Sequence, residues 1–112
     1  MIPENAFENC KELTKVVIPE GVTSIGSHAF DGCSALTSIT IPNSVTKIGD
    51  YAFTYCTALT EITIPDGVTS IGYQVFQECP SLTSFYGKYA SSDNRCLIVE
   101  GELIAFAPAG LT

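Results

Sequence analysis

Leu36-Thr37-Ser38-Ile39-Thr40-Ile41-Pro42-Asn43-Ser44-Val45-Thr46-Lys47-Ile48-Gly49-Asp50-Tyr51-Ala52-Phe53-Thr54-Tyr55-Cys56 is the stretch that decides the fold. Its opening alternates with period two: Leu36, Ile39 and Ile41 face in, Ser38 and Thr40 face out, as a half-buried strand requires. Pro42-Asn43-Ser44 turns the chain, because proline presets φ and removes a ladder donor. Val45 to Ile48 reads as a second short strand on the opposite side. Gly49 is expected to end it with a backbone angle awkward for other residues. Asp50 to Cys56 reads as a short helical or 3₁₀ arc, with Ala52, Phe53 and Cys56 at i, i+1 and i+4 on one inward face.

The same pattern recurs outward from this stretch with a period of 23 residues. Ala6-Phe7 returns as Ala29-Phe30, Ala52-Phe53 and Val75-Phe76. Cys10, Cys33, Cys56 and Cys79 keep the spacing, as do the Leu-Thr pairs at Leu13, Leu36, Leu59 and Leu82. Ile18-Pro19, Ile41-Pro42 and Ile64-Pro65 follow, then Val-Thr at Val22, Val45 and Val68, then Ile-Gly at Ile25, Ile48 and Ile71. A single unit cannot bury its own apolar side. Stacked units share one continuous core, each touching only its neighbours. The expected architecture is a mainly β repeat solenoid of the leucine-rich kind: a right-handed coil with short parallel strands on two sides, joined by the helical or 3₁₀ arcs.

Composition narrows the function classes. Hydrophobic residues make up 46% and charged residues 15%, which excludes a disordered tail. The longest apolar runs, Cys96–Val99 and Leu103–Ala107, fall far short of the roughly 18 residues that cross a bilayer. A net charge of −7 repels phosphate backbones and anionic membrane surfaces, so neither nucleic acid nor direct membrane insertion is expected. Met1-Ile2-Pro3-Glu4-Asn5 lacks the basic start and apolar core of a signal peptide. The protein is then cytosolic, or a targeting segment lies upstream.

Catalytic and metal chemistry find little support. The periodic cysteines lack the close pairs that structural zinc requires. A 23-residue spacing stacks them in a ladder of small buried hydrophobes. Cys96 lies off that ladder at the start of a strand. His28, the single histidine, has Asn5, Tyr51 and Gln74 as its repeat equivalents, which reads as a solvated slot. A Cys–His nucleophile would need an exposed thiol beside it. No phosphate loop is present, and Glu20, Asn43 and Asp66 share a turn position that suits solvent better than calcium. No catalytic residue, cofactor or metal site is assigned.

The residues Leu36 to Cys56 and Leu59 to Cys79, the latter with Val75 for alanine, match the motif L-T-x-I-x-I-P-x-x-V-T-x-I-G-x-x-A-F-x-x-C. Leu13 to Cys33 matches with valines at two strand positions. In this the chain resembles the BspA-like leucine-rich repeats of bacterial surface proteins, over residues 1 to about 87. The resemblance implies a surface-exposed or secreted protein of host-associated bacteria, acting in adhesion or host contact, with no catalytic residues. Its partner would be a protein or glycan, such as host extracellular matrix or cell surface. A passive stalk in a longer surface protein is the other reading.

After Leu82 the pattern breaks. Gly87 replaces the strand isoleucine, Arg95 stands where glycine is expected, and the next Leu-Thr, at Leu111, comes after 29 residues. Apolar runs flanking Glu100-Gly101 predict a β-hairpin, led by a polar loop from Lys88 to Asn94. The chain thus divides into repeats at 1–87, the first incomplete, and an elaborated repeat at 88–112 that ends by starting another. Ile2 aligns with Ile25 and Leu111-Thr112 opens a new unit, so the chain reads as part of a longer repeat protein. The candidate binding face is the outward row of the longer, concave-side strands: Lys15 and Val17, Ser38 and Thr40, Glu61 and Thr63, Ser84 and Tyr86. Tyr86, with Tyr89 nearby, suggests a hot spot.

Overall fold

The computed structural model describes residues 1–90, 92, 96–99 and 102–106. It is mainly β, with short parallel strands in sheets. The longer strands are β1 (Lys15–Val17), β3 (Ser38–Thr40), β5 (Glu61–Thr63) and β7 (Ser84–Tyr86). Across the core from these in each repeat lie β2 (Ser24–Ile25), β4 (Lys47–Ile48) and β6 (Ser70–Ile71). β8 (Cys96–Val99) and β9 (Glu102–Phe106) follow. β2, β4 and β6 form one parallel sheet, in which Ile25, Ile48 and Ile71 stand in register. β1 pairs with β3 and β5 with β7, also parallel. β8 and β9 pair antiparallel, with an irregularity between Leu97 and Ile98. Glu100-Gly101, Arg95 and Leu111-Thr112 lie outside the described residues, as do Ser91, Asp93 and Asn94 of the polar loop.

The expected helical arcs are absent among the described residues; 4–9, 27–32, 50–55 and 73–78 are turns. The reason lies in the backbone. Each arc holds two left-handed residues four apart: Asn5 and Asn9, His28 and Gly32, Tyr51 and Tyr55, Gln74 and Glu78. A left-handed residue interrupts a right-handed helical ladder. Amides in the arc instead reach the next repeat: Tyr51 donates to Tyr73 O at 2.9 Å, Phe53 to Val75 O at 3.0 Å and Tyr55 to Gln77 O at 3.0 Å. The amides of Thr54 and Gln77 close local turns three residues back. Ala52, Phe53 and Cys56 do face inward and are fully buried, so the i, i+1, i+4 pattern reported burial correctly and conformation wrongly.

Gly49 also differs from expectation. Its φ is not positive; the left-handed residue is Tyr51. Glycine is required here by close approach. A Cβ on Gly49 would lie 2.6 Å from the amide nitrogen of Ser27, and the Gly49 amide donates to Ile25 O at 2.8 Å. Gly26 and Gly72 make the equivalent bonds to Ile2 and Ile48. Gly87 combines both demands, with φ of 110° and the Ile64 carbonyl against its missing Cβ.

Three side-chain ladders reinforce the backbone. Phe7, Phe30, Phe53 and Phe76 stack face to face at centroid spacings of 5.3, 5.5 and 5.7 Å, and Phe85 closes the row edge-on. Such pairs add about 0.5–1.5 kcal/mol each beyond burial. The thiols of Cys33, Cys56 and Cys79 each donate to the carbonyl of Phe7, Phe30 and Phe53 at 3.2 Å. The periodic cysteines are therefore unbridged thiols that tie a repeat to the one before it. Cys10, at the open first repeat, is only half-buried. Threonine hydroxyls do the same at the rim, as Thr37 to Thr14 O and Thr83 to Thr60 O. At the far end Leu97 of β8 enters the core, Ala90 bridges to it, and the Tyr89 hydroxyl donates to Val68 O at 2.6 Å.

Phe53→Ala, which removes a ring stacked on both faces, is expected to cost about 3–5 kcal/mol in denaturant unfolding. Phe7 is 41% exposed and stacks on one side, so Phe7→Ala should lose less than half as much. Equal losses would contradict the end-to-end stacking. Gly49→Ala should cost about 1–3 kcal/mol, as overpacking does; an unchanged midpoint would refute the close-approach argument. Burial pushes the Cys79 thiol up to about 11, and Cys56 and Cys33 rise for the same reason. Unfolding then exposes thiols that ionise more readily. Their contribution to stability is complete below pH 9 and declines as pH rises toward 11. Thiol titration at neutral pH should find these three unreactive until denaturant is added; rapid native labelling of all of them would count against this packing.

Candidate functional site

The alternation of the longer strands places every candidate residue on the side away from the core. Lys15, Val17, Ser38, Thr40, Glu61, Thr63 and Tyr86 are exposed, and Ser84 is half-buried. Their neighbours Ile39, Ile62 and Phe85 are buried. Pairing sets Lys15 beside Ser38, Val17 beside Thr40, Glu61 beside Ser84 and Thr63 beside Tyr86. The row thus exists as a surface built from four successive repeats. Tyr86 and Tyr89 separate in role. Tyr86 is 39% exposed on this face, whereas Tyr89 is committed to the core and to its hydrogen bond with Val68.

The face is not uniform. Among the described residues β3 and β5 do not pair, although their equivalents on the other side, β4 and β6, do. At this break lies a cavity of about 220 Å³. Ser38, Glu61, Thr63 and Tyr86 line it, with Thr37, Ile39 and Ile62. It collects hydroxyls, one carboxylate and one aromatic ring, a set that can accept and donate hydrogen bonds while offering one flat apolar surface. Spacing alone could not show it. Each repeat has the same strand pattern, and the break depends on how one repeat sits on the next. The one faint sequence signal is Tyr86, the single aromatic residue of its column.

A second group lies on the arcs. His28 is not simply solvated: it is half-buried and left-handed, its Nδ1 is 2.8 Å from Asp31 Oδ2, and its ring stacks on Tyr51 at 4.9 Å. Tyr51 in turn meets Tyr73 edge-on at 6.2 Å. The repeat register places His28 and Tyr51 in one column with Asn5 and Gln74, but the stacking of the two rings is decided by the packing of one repeat on the next. No helix among the described residues is long and apolar enough to cross a membrane.

Comparison with known proteins agrees with this architecture. The family model described as the BspA type leucine-rich repeat region matches residues 1–93. No curated protein matches the chain significantly. Among solved structures, a leucine-rich cell surface protein from Faecalibacterium prausnitzii is 42% identical with a TM-score of 0.74, over 90% of this chain and 25% of that one. A leucine-rich repeat protein from Bacteroides capillosus is 34% identical with a TM-score of 0.68, over 75% of this chain and 59% of that one. The pneumococcal vaccine antigen PcpA is 26% identical with a TM-score of 0.65, over 82% of this chain and 23% of that one. The chain therefore spans about a quarter of the first and third of these proteins and under two thirds of the second. With the family model matched over most of its length, this chain belongs to the BspA-type leucine-rich-repeat family.

Proposed function

We propose that this chain is a non-catalytic interaction module of a bacterial cell-surface or secreted protein, working in adhesion or host contact. The observation that carries this reading is the outward strand face with its cavity, where Ser38, Glu61, Thr63 and Tyr86 converge. Interfaces favour tyrosine, and a mixed hydroxyl and carboxylate lining suits a protein or glycan partner better than a polyanion. The net charge of −7 points the same way. The cell surface is supported by the description of the Faecalibacterium relative as a cell surface protein.

In this reading residues 1–87 are leucine-rich repeats wound as a right-handed solenoid, and 88–112 form an elaborated repeat. The parallel pairing of successive repeats supports the winding. Burial of Leu97 supports a covering role for the elaborated repeat. Lys15, Val17, Thr40 and Ser84 extend the face beyond the cavity. The continuous β2-β4-β6 sheet favours the second reading, a stiff spacer.

The test immobilises the protein and probes it with an extracellular-matrix extract and a glycan array. Tyr86→Ala and Glu61→Ala should each weaken the interaction about tenfold or more, as truncating a hot spot does. Tyr73→Ala, which removes a side chain 65% exposed on an arc, should leave it unchanged. Loss with Tyr73→Ala alone would place the binding face on the arcs. Absence of binding to either probe would favour the spacer.

A further inference from the structure

We propose that Glu8, His28 and Asp31 form a binding site for a nitrogen-preferring divalent transition ion, such as zinc, at the junction of the first two repeats. One ligand atom from each lies within 4.8 Å of the others. His28 Nδ1 and Asp31 Oδ2 are 2.8 Å apart. Neighbouring donors on a tetrahedral zinc ion with bonds of about 2.1 Å stand about 3.4 Å apart, so this hydrogen-bonded pair needs to open only by about 0.6 Å to become two adjacent ligands. Glu8 needs a side-chain rotation of its exposed carboxylate to complete the set.

His28 and Asp31 are held in place before any ion arrives, and Glu8 is tethered nearby. Asn5 Nδ2 donates to Glu8 Oε1 at 2.9 Å. The His28 ring is fixed by stacking on Tyr51 at an interplanar angle of 16°, and His28 and Asp31 hold each other. Outer contacts of this kind orient metal ligands. The repeat register also brings like charges together. Glu8 and Asp31 occupy the same position of successive repeats, where the next two have Thr54 and Gln77. Thr54 is buried and donates to Gln74 O at 2.9 Å. The position is therefore neutral elsewhere and doubly acidic only here, beside the chain's one histidine. A cation between the carboxylates offsets their repulsion.

One imidazole and two carboxylates suit zinc, manganese or cobalt; calcium prefers oxygen alone. Water completes the coordination on the exposed side. An ion bound at Nδ1 replaces the ring proton that otherwise faces Asp31. That proton moves to Nε2, and because acid competes with the ion for the imidazole and carboxylate atoms, affinity falls as the solution is acidified. The ligands are 20 and 3 residues apart along the chain, which is why no metal-ligand spacing announces them.

Because His28 is the single histidine, its ring resonances report this site directly, independently of any thiol that takes zinc. The experiment titrates zinc chloride into the full chain at neutral pH and follows those resonances by NMR. The expected result is a shift that saturates at about one equivalent and needs more zinc at lower pH. Glu8→Gln and Asp31→Asn, near-isosteric and checked for an unchanged unfolding midpoint, should each raise the zinc needed about tenfold or more. Calcium chloride should leave the ring unmoved. The proposal is overturned if zinc does not move the ring. It is equally overturned if Glu8→Gln responds like the parent, since the ion would then not bridge the repeats, or if calcium acts as zinc does.

Discussion

A backbone amide in one repeat must find its acceptor in the adjacent repeat, 22 to 24 residues away, and the rest of the structure follows from that requirement. In the strands this is ordinary parallel pairing. In the arcs it competes with helix formation, and helix formation loses. Left-handed residues such as Tyr51 and Tyr55 turn alternate amides outward, toward carbonyls of the following repeat. Left-handed backbone at a non-glycine residue costs about 1 kcal/mol or more. The recovered inter-repeat hydrogen bonds, the close packing they permit and the phenylalanine stack offset it.

That requirement also explains the repeat's small and sulfur-bearing residues. The backbones meet so closely at Gly26, Gly49 and Gly72 that a Cβ has no room. Cysteine fits its position because a thiol can fill an apolar space and still donate to a phenylalanine carbonyl of the preceding repeat. Burial then raises its pKa and keeps it protonated, so a residue type usually associated with redox or metal chemistry serves here as a hydrogen-bonding hydrophobe. Threonine at the rim of the strands plays the matching role from the solvent side.

In such an arrangement the two proposed sites fall where the repeats depart from uniformity. On the strand face the departure is the unpaired junction of β3 and β5, which opens the cavity between Ser38 and Tyr86. On the arcs it is the junction of the first two repeats, where Glu8, His28 and Asp31 replace neutral equivalents. The two groups sit on different parts of the repeat, so a partner on one leaves the other accessible to an ion.

The sequence by itself determined the period, the inward set and the outward row. The inward and outward sets are legible within one repeat from alternation, Leu36, Ile39 and Ile41 against Ser38 and Thr40, and the period from comparing repeats. It also marked the departure after Leu82, which the β8 and β9 pair occupies. Only the tertiary structure decided the conformation of the arcs, because Ala52, Phe53 and Cys56 are buried alike by a helical turn or by a left-handed loop. It alone decided that Gly49 answers to a neighbouring backbone, that Tyr89 belongs to the core while Tyr86 does not, and that β3 and β5 part. All of these depend on contacts between repeats, and a pattern that repeats identically along the chain carries no record of where one repeat fails to sit flush upon the next.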